Sequence, residues 1–231
     1  MSTVDFSQFE KRVGVTFKNK DLLKQAFVHR SYINENKGLE LGHNERLEFL
    51  GDAVLELVIT DFLYHKYPES NEGDLTSYRS ALVNANTLST VAVTLDVNTY
   101  LLLSKGESKD TGRARQYILA NTLEALIGAI YIDRGYDVAK KFISDHIAPI
   151  IDDVLKQGTW IDSKSKFQER SQDEVGITPL YKTIKETGPD HDKHFTVGVY
   201  LSEKLIASGD GVSKQEAEQV AAKKALEAKG W

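Results

Sequence analysis

The chain has 231 residues, 41% hydrophobic and 27% charged, a balance that suits folded globular domains and excludes disorder as the main state. It has no cysteine, which rules out disulfides and thiolate metal sites, so any metal must be held by oxygen or imidazole. The net charge is −5, so the field of the whole chain does not recruit nucleic acid, and such binding has to come from local basic groups.

The opening MSTVDFSQFEKRVGV has no basic stretch followed by an apolar run, and nowhere do about 18 consecutive apolar residues occur. The expectation is a cytoplasmic protein with no membrane partner. From Phe6 to about Leu155 the apolar spacing is mostly helical, in LLKQAFVHRSY, RLEFLGDAVLELVITDFLYHKY, LTSYRSALVNANTLSTVAVTL, YILANTLEALIGAIYIDRGY and VAKKFISDHIAPIIDDVL. Turn signals separate these runs: ENKGLELG, the Pro68 to Gly73 stretch, SKGESKDTGR and RGYD. SKGESKDTGR carries Gly106 and Gly112 but lacks GxxxxGK[ST] and a preceding strand, so it reads as a loop and not a phosphate cradle. The spacing predicts an all-α domain over residues 1–156 and a short linker at about 156–162. Residues 160–231 then change character. SKSKFQERSQDEV is helical, PLYKTIKET, HFTVGVYLS and KLIASGDG alternate as strands, and Ser213 opens a closing helix as its N-cap. That order, α-β-β-β-α, predicts a separate small α+β domain.

Chemistry concentrates in HNERLEFLGDAVLELVITDFL. At 100° per residue, Glu45, Glu48, Asp52 and Glu56 project within about 80° of one another, and apolar residues, Phe49 among them, occupy the remainder. One reading is a solvated face. Against it, such a face is normally wider and mixed in sign, because like charges at i,i+4 cost about 0.2–0.5 kcal/mol per pair even when exposed. The only cation of the stretch, Arg46, projects elsewhere. The second reading comes from YILANTLEALIGAIYID, which has the same construction, with Tyr117, Asn121, Glu124, Gly128 and Tyr131 forming a thin strip. If the two helices pack strip to strip, Glu48, Asp52, Asn121 and Glu124 share one pocket, and Gly128 permits close backbone approach. Carboxylates and an amide oxygen, without Cys or HExxH, suit Mg²⁺ or Mn²⁺ better than zinc. A divalent ion in such a pocket serves phosphoryl chemistry by acidifying water and neutralising phosphate oxygens. His29, His43, His65, His146 and His194 show no metal spacing and none is assigned to catalysis.

HNERLEFLGDAVL resembles the signature stretch of the ribonuclease III family of double-stranded RNA endonucleases. LLKQAFVHRSY, NEGDLTSYRSALVNANTL, LLLSKGESKDTGR and NTLEALIGAIYIDRGY follow the family's order. The resemblance implies a helical nuclease domain that forms a homodimer, so that two sites cut the two strands of duplex RNA and leave short 3′ overhangs. It implies Glu48 and Glu124 as metal ligands, Asp52 as a catalytic acid beside the metal, and Glu45 and Glu72 as further acidic positions. It also implies ribosomal and other RNA precursors as substrates. Position 121 departs from the pattern, which most often has Asp there. An amide oxygen still ligates Mg²⁺, but the site loses one negative charge. Three readings stay open: a natural variant that cuts, a substitution introduced to weaken cleavage, or a regulatory duplex-RNA-binding protein that does not cut.

In the small domain, GPDHDKHF and SKQEAEQVAAKKAL resemble the double-stranded RNA-binding domain. A duplex reader must reach minor-groove 2′-hydroxyls at two places and the phosphates between them. Gln168 and Gln172, at i,i+4, and His191, after Gly188-Pro189, supply hydrogen-bonding groups, and Lys214 adds a cation at a helix N-terminus. Residues 160–231 carry 11 Lys and Arg against 12 Asp and Glu, so binding needs a one-sided layout of charge. Gln215 stands where the family often has a second Lys, which predicts modest, salt-sensitive phosphate affinity. The whole reads as a Mg²⁺-dependent endoribonuclease, with Mn²⁺ as substitute, in which Glu48, Asn121 and Glu124 hold the ion and Asp52 assists.

Overall fold

The structure is a computed structural model that describes residues 5–38, 40–157, 163–189 and 193–231. It divides into two compact units, Met1–Trp160 and Ile161–Trp231.

The first unit is helical throughout. In chain order its α-helices are α1 (Ser7–Val13), α2 (Lys20–Ala26), α3 (Arg30–Glu35), α4 (Glu45–Lys66), α5 (Glu72–Val83), α6 (Ala85–Thr94), α7 (Val97–Tyr100), α8 (Arg113–Arg134), α9 (Tyr136–His146) and α10 (Ile151–Gln157). Three of the apolar runs expected as single helices are interrupted. LLKQAFVHRSY divides after Ala26, where the chain extends so that the Leu102 N–H donates to the Phe27 carbonyl at 2.9 Å and the His29 N–H to the Leu102 carbonyl at 3.1 Å. LTSYRSALVNANTLSTVAVTL divides at Asn84, whose backbone is extended and whose Oδ1 accepts from the Thr87 N–H at 2.9 Å. VAKKFISDHIAPIIDDVL divides at the tight turn Ala148–Ile150, which contains Pro149. In the last two cases the apolar period runs on because both pieces bury the same core, whereas α3 contributes no buried residue. The break is written in a residue that satisfies freed N–H groups or lacks one.

α8 lies at the centre: from Leu119 to Ile130 every residue is buried except Asn121 and Glu124. It packs on α4 through two glycines. A Cβ on Gly51 would run into the Glu124 carbonyl and lie 2.8 Å from the Gly128 nitrogen, and one on Gly128 would run into the Leu47 carbonyl. Only glycine at both positions lets these backbones meet, and that meeting sets how close their polar strips stand. Far along the same helix, the Asp133 carboxylate accepts from the Lys18 and Asn19 N–H groups at 2.7 and 2.9 Å, tying the entry of α2 to the end of α8.

The second unit has α11 (Ser163–Val175), the antiparallel sheet β1 (Leu180–Thr187), β2 (His194–Leu201) and β3 (Lys204–Gly211), paired in that order, and α12 (Lys214–Lys229). This is the expected α-β-β-β-α order. Its core joins Phe167 of α11, Val199 and Leu201 of β2 and Ala221, Ala222, Ala225 and Leu226 of α12. The small alanines and Gly209, whose Cβ would lie 2.5 Å from the Ala217 carbonyl, bring α12 down onto the sheet. Ser213 is the N-cap of α12, its hydroxyl accepting from the Glu216 N–H at 3.1 Å. Among the described residues no helix is long and apolar enough to cross a membrane.

Candidate active site and RNA-binding face

The four acids of α4 divide into paired ends and an unpaired middle. At the N-terminal end, Glu45 is exposed, with the Arg30 guanidinium 3.8 Å and His43 Nδ1 3.6 Å from its carboxylate. At the other end, Arg79 of α5 donates from Nε to Glu56 at 3.0 Å and from Nη1 to the Thr60 hydroxyl at 3.2 Å. Glu48 and Asp52 stand between them, and among the described residues neither takes part in an ion pair. Across the glycine contact, α8 presents Asn121 and Glu124 to this middle section. The Asn121 side-chain amide donates a hydrogen bond to the Glu48 carboxylate.

Charge of one sign in a half-buried seam has a measurable consequence. Burial, then the neighbouring Glu45 and Asp52 carboxylates, raise the pKa of Glu48, against the Asn121 hydrogen bond. Glu124 is pushed up to about 8, first by burial and then by Asp52, Glu48 and Glu56. Glu124 therefore keeps its proton at neutral pH unless a cation enters to replace it. Among the described residues no three His, Asp or Glu side chains close on one point as a finished coordination shell. The carboxylates stand as mutually repelling neighbours, and Asn121 turns its amide N–H₂ to Glu48. A half-turn of that amide would offer its oxygen instead. An all-oxygen donor set, rich in negative charge with no cation in its middle section, fits a hard divalent ion.

Several residues fall where the sequence did not place them. α4 is not an apolar cylinder around an acidic stripe: Phe49 is 82% exposed, Tyr64 67% and Leu57 57%. Helical periodicity groups residues by face but does not say which apolar face is left uncovered. Glu72 begins α5, exposed, with the Thr76 hydroxyl 3.5 Å away, and among the described residues no contact joins it to the other acids. Sequence reasoning missed Gly51, the partner of Gly128, although a lone glycine inside an apolar helix was a signal for it. It also missed Arg30 and Arg79 as counter-ions, for which no local signal exists because these partners lie on other segments.

In the second unit, Gln168 and Gln172 are both exposed on α11, one turn apart, and Lys214 and Gln215 are exposed in the first turn of α12. The Lys214 ammonium lies 5.5 Å from the Phe195 ring of β2, which supports its stem while leaving the charge accessible. His191 lies outside the described residues.

Comparison with known proteins agrees with this arrangement. Residues 19–151 match the model of the Ribonuclease-III-like family, and residues 163–229 match the double-stranded RNA binding motif. Ribonuclease 3 of Leptospira interrogans is 44% identical over 216 residues, covering 94% of this chain and 87% of that protein. Ribonuclease 3 of Enterococcus faecalis is 44% identical over 223 residues, covering 95% of each chain. The solved nuclease domain of ribonuclease III from Campylobacter jejuni superposes with a TM-score of 0.57 at 37% identity, covering 63% of this chain and 97% of that one. A helical unit with an acidic seam, a duplex-RNA-binding unit after it, and relatives matched along almost their whole length place the chain in the ribonuclease III family of double-stranded RNA endoribonucleases.

Proposed function

We propose that the α4–α8 seam is where this endoribonuclease hydrolyses its phosphodiester, with Mg²⁺ as the resident ion and Mn²⁺ as a working substitute. In this reading Glu48, Glu124 and the Asn121 oxygen hold the ion, and Asp52, exposed at the mouth, assists beside it. When bound, the ion neutralises phosphate oxygens and acidifies water. The chain's own residues do the rest. Gly51 and Gly128 fix the spacing of the two helices, Glu124 gives up its proton as the site loads, and Arg30 and Arg79 hold the outer acids aside. No nucleophilic side chain is needed, and direct hydrolysis without a covalent enzyme intermediate follows. Glu45 and Glu72 act outside the ion's immediate ligands. The observation that carries this reading is the unpaired middle of the acidic stripe, where Glu124 is pushed up to about 8.

The remaining assignments complete it. The nuclease domain spans 1–156 and the RNA-binding domain 160–231, where Gln168, Gln172, His191 and Lys214 grip the duplex. Exposed Phe49, Leu57 and Tyr64 leave apolar surface on α4 suited to a second copy of the chain. The Campylobacter jejuni nuclease domain is described by a region involved in dimer formation, and a homodimer here would present two seams to the two strands. The substrates are ribosomal and messenger RNA precursors, met in the cytoplasm.

The test is incubation of the purified chain with end-labelled duplex RNA in Mg²⁺ or in EDTA. Fragments that require Mg²⁺ are expected. A shifted band without fragments at any Mg²⁺ concentration would instead mark a binding protein that does not cut.

A further inference from the structure

Arg79 does more than lie near an acid. It spans two successive turns of α4, reaching Glu56 at 3.0 Å and the Thr60 hydroxyl at 3.2 Å, so the guanidinium is fixed along the helix and not merely attracted to it. Glu56 lies one turn beyond Asp52, and its charge acts on Glu124 across the seam. The pair therefore sits at the edge of the pocket with one full charge of each sign. While the pair is closed Arg79 offsets part of the Glu56 charge, and removing either partner leaves the other uncompensated.

We propose that the Arg79–Glu56 pair sets the divalent-ion affinity of the acidic pocket, with Arg79 as a positioning residue that withholds the Glu56 carboxylate from it. This rests on the ion-binding reading of the same site. It leads to shifts of opposite sign. Glu56→Gln leaves a bare cation one turn from Asp52 and weakens ion binding by about tenfold. Arg79→Gln leaves a bare carboxylate there and tightens it by about tenfold. Combining the two returns affinity close to that of the unaltered chain, and Arg79→Lys, which keeps the charge, changes it little.

The experiment is calorimetric titration of the full chain with MnCl₂, without RNA, so that turnover does not enter. Thermal melting of each variant checks that it is folded. Opposite shifts in the two single variants, cancelled in the double, are the expected result. A purely structural pair would lower affinity in both single variants, because both loosen α5 against α4. Equal losses in both, or no change in either while the unaltered chain binds Mn²⁺, overturn the inference alone. Failure of the unaltered chain to bind Mn²⁺ overturns the ion-binding reading, and the inference with it.

Discussion

The two units carry their proposed working groups in opposite ways. In the helical unit the polar residues of interest sit in a half-buried seam between α4 and α8, where carboxylates repel one another and Glu124 is held protonated. In the small unit Gln168, Gln172 and Lys214 stand exposed on helix surfaces over an ordinary alanine-rich core. The first arrangement costs folding energy, which a cation entering the seam would relieve. The second costs almost nothing and works by layout alone. A site under electrostatic load is thus recognisable within a single structure, whereas a recognition surface is recognisable only against the shape it must fit.

That contrast predicts separable failures. Replacing Glu124 with Ala should reduce cutting by a factor on the order of 10³ while leaving duplex binding intact. Parallel cleavage and gel-shift titrations check this, and loss of both functions would erase the division between the units. Gly128→Ala forces a methyl into the Leu47 carbonyl and should cost about 3 kcal/mol or more, read as a lowered denaturant midpoint, with the spacing of the acids disturbed in whatever remains folded.

The load itself should show in ion-free protein as a dependence on pH. Because the folded pKa of Glu124 is raised, its contribution to stability is complete below the ordinary carboxyl value of 4.5 and is lost as pH rises through about 8. Melting in EDTA should therefore fall over that window, and Glu124→Gln should flatten the fall. Solvent screening leaves the effect on the order of 1 kcal/mol. Identical profiles for the two proteins would mean that the seam carries no load. The smallest effect belongs to the exposed face: Lys214→Ala should weaken duplex binding by about 1 kcal/mol and make it less sensitive to salt, with cutting at saturating RNA unchanged.

Much of this was legible in the sequence because periodicity and spacing report what lies on one face. The stripe of Glu45, Glu48, Asp52 and Glu56, the facing strip of Asn121 and Glu124, and the Ser213 cap all fall where the residues alone put them. What was hidden depends on a second segment. Arg79 pairs with Glu56 from another helix, 23 positions away in sequence, and no local pattern announces it. Gly51 was visible as a residue but not as one half of a contact. Asn84 divided one apolar run in two because a capping side chain outweighs a period that both helices share. Phe49 belongs by spacing to the apolar remainder of α4 yet is exposed, since hydrophobicity does not distinguish a face that packs within the chain from one left open.

The central claim is that α4 and α8 pool their oxygens around one divalent ion. Anomalous diffraction from crystals grown with Mn²⁺ tests it most directly. A peak within ligand distance of Glu48 and Glu124, beside Asp52 and with the Asn121 oxygen turned towards it, is the predicted result. A peak elsewhere, or none in the seam at saturating Mn²⁺, would contradict it.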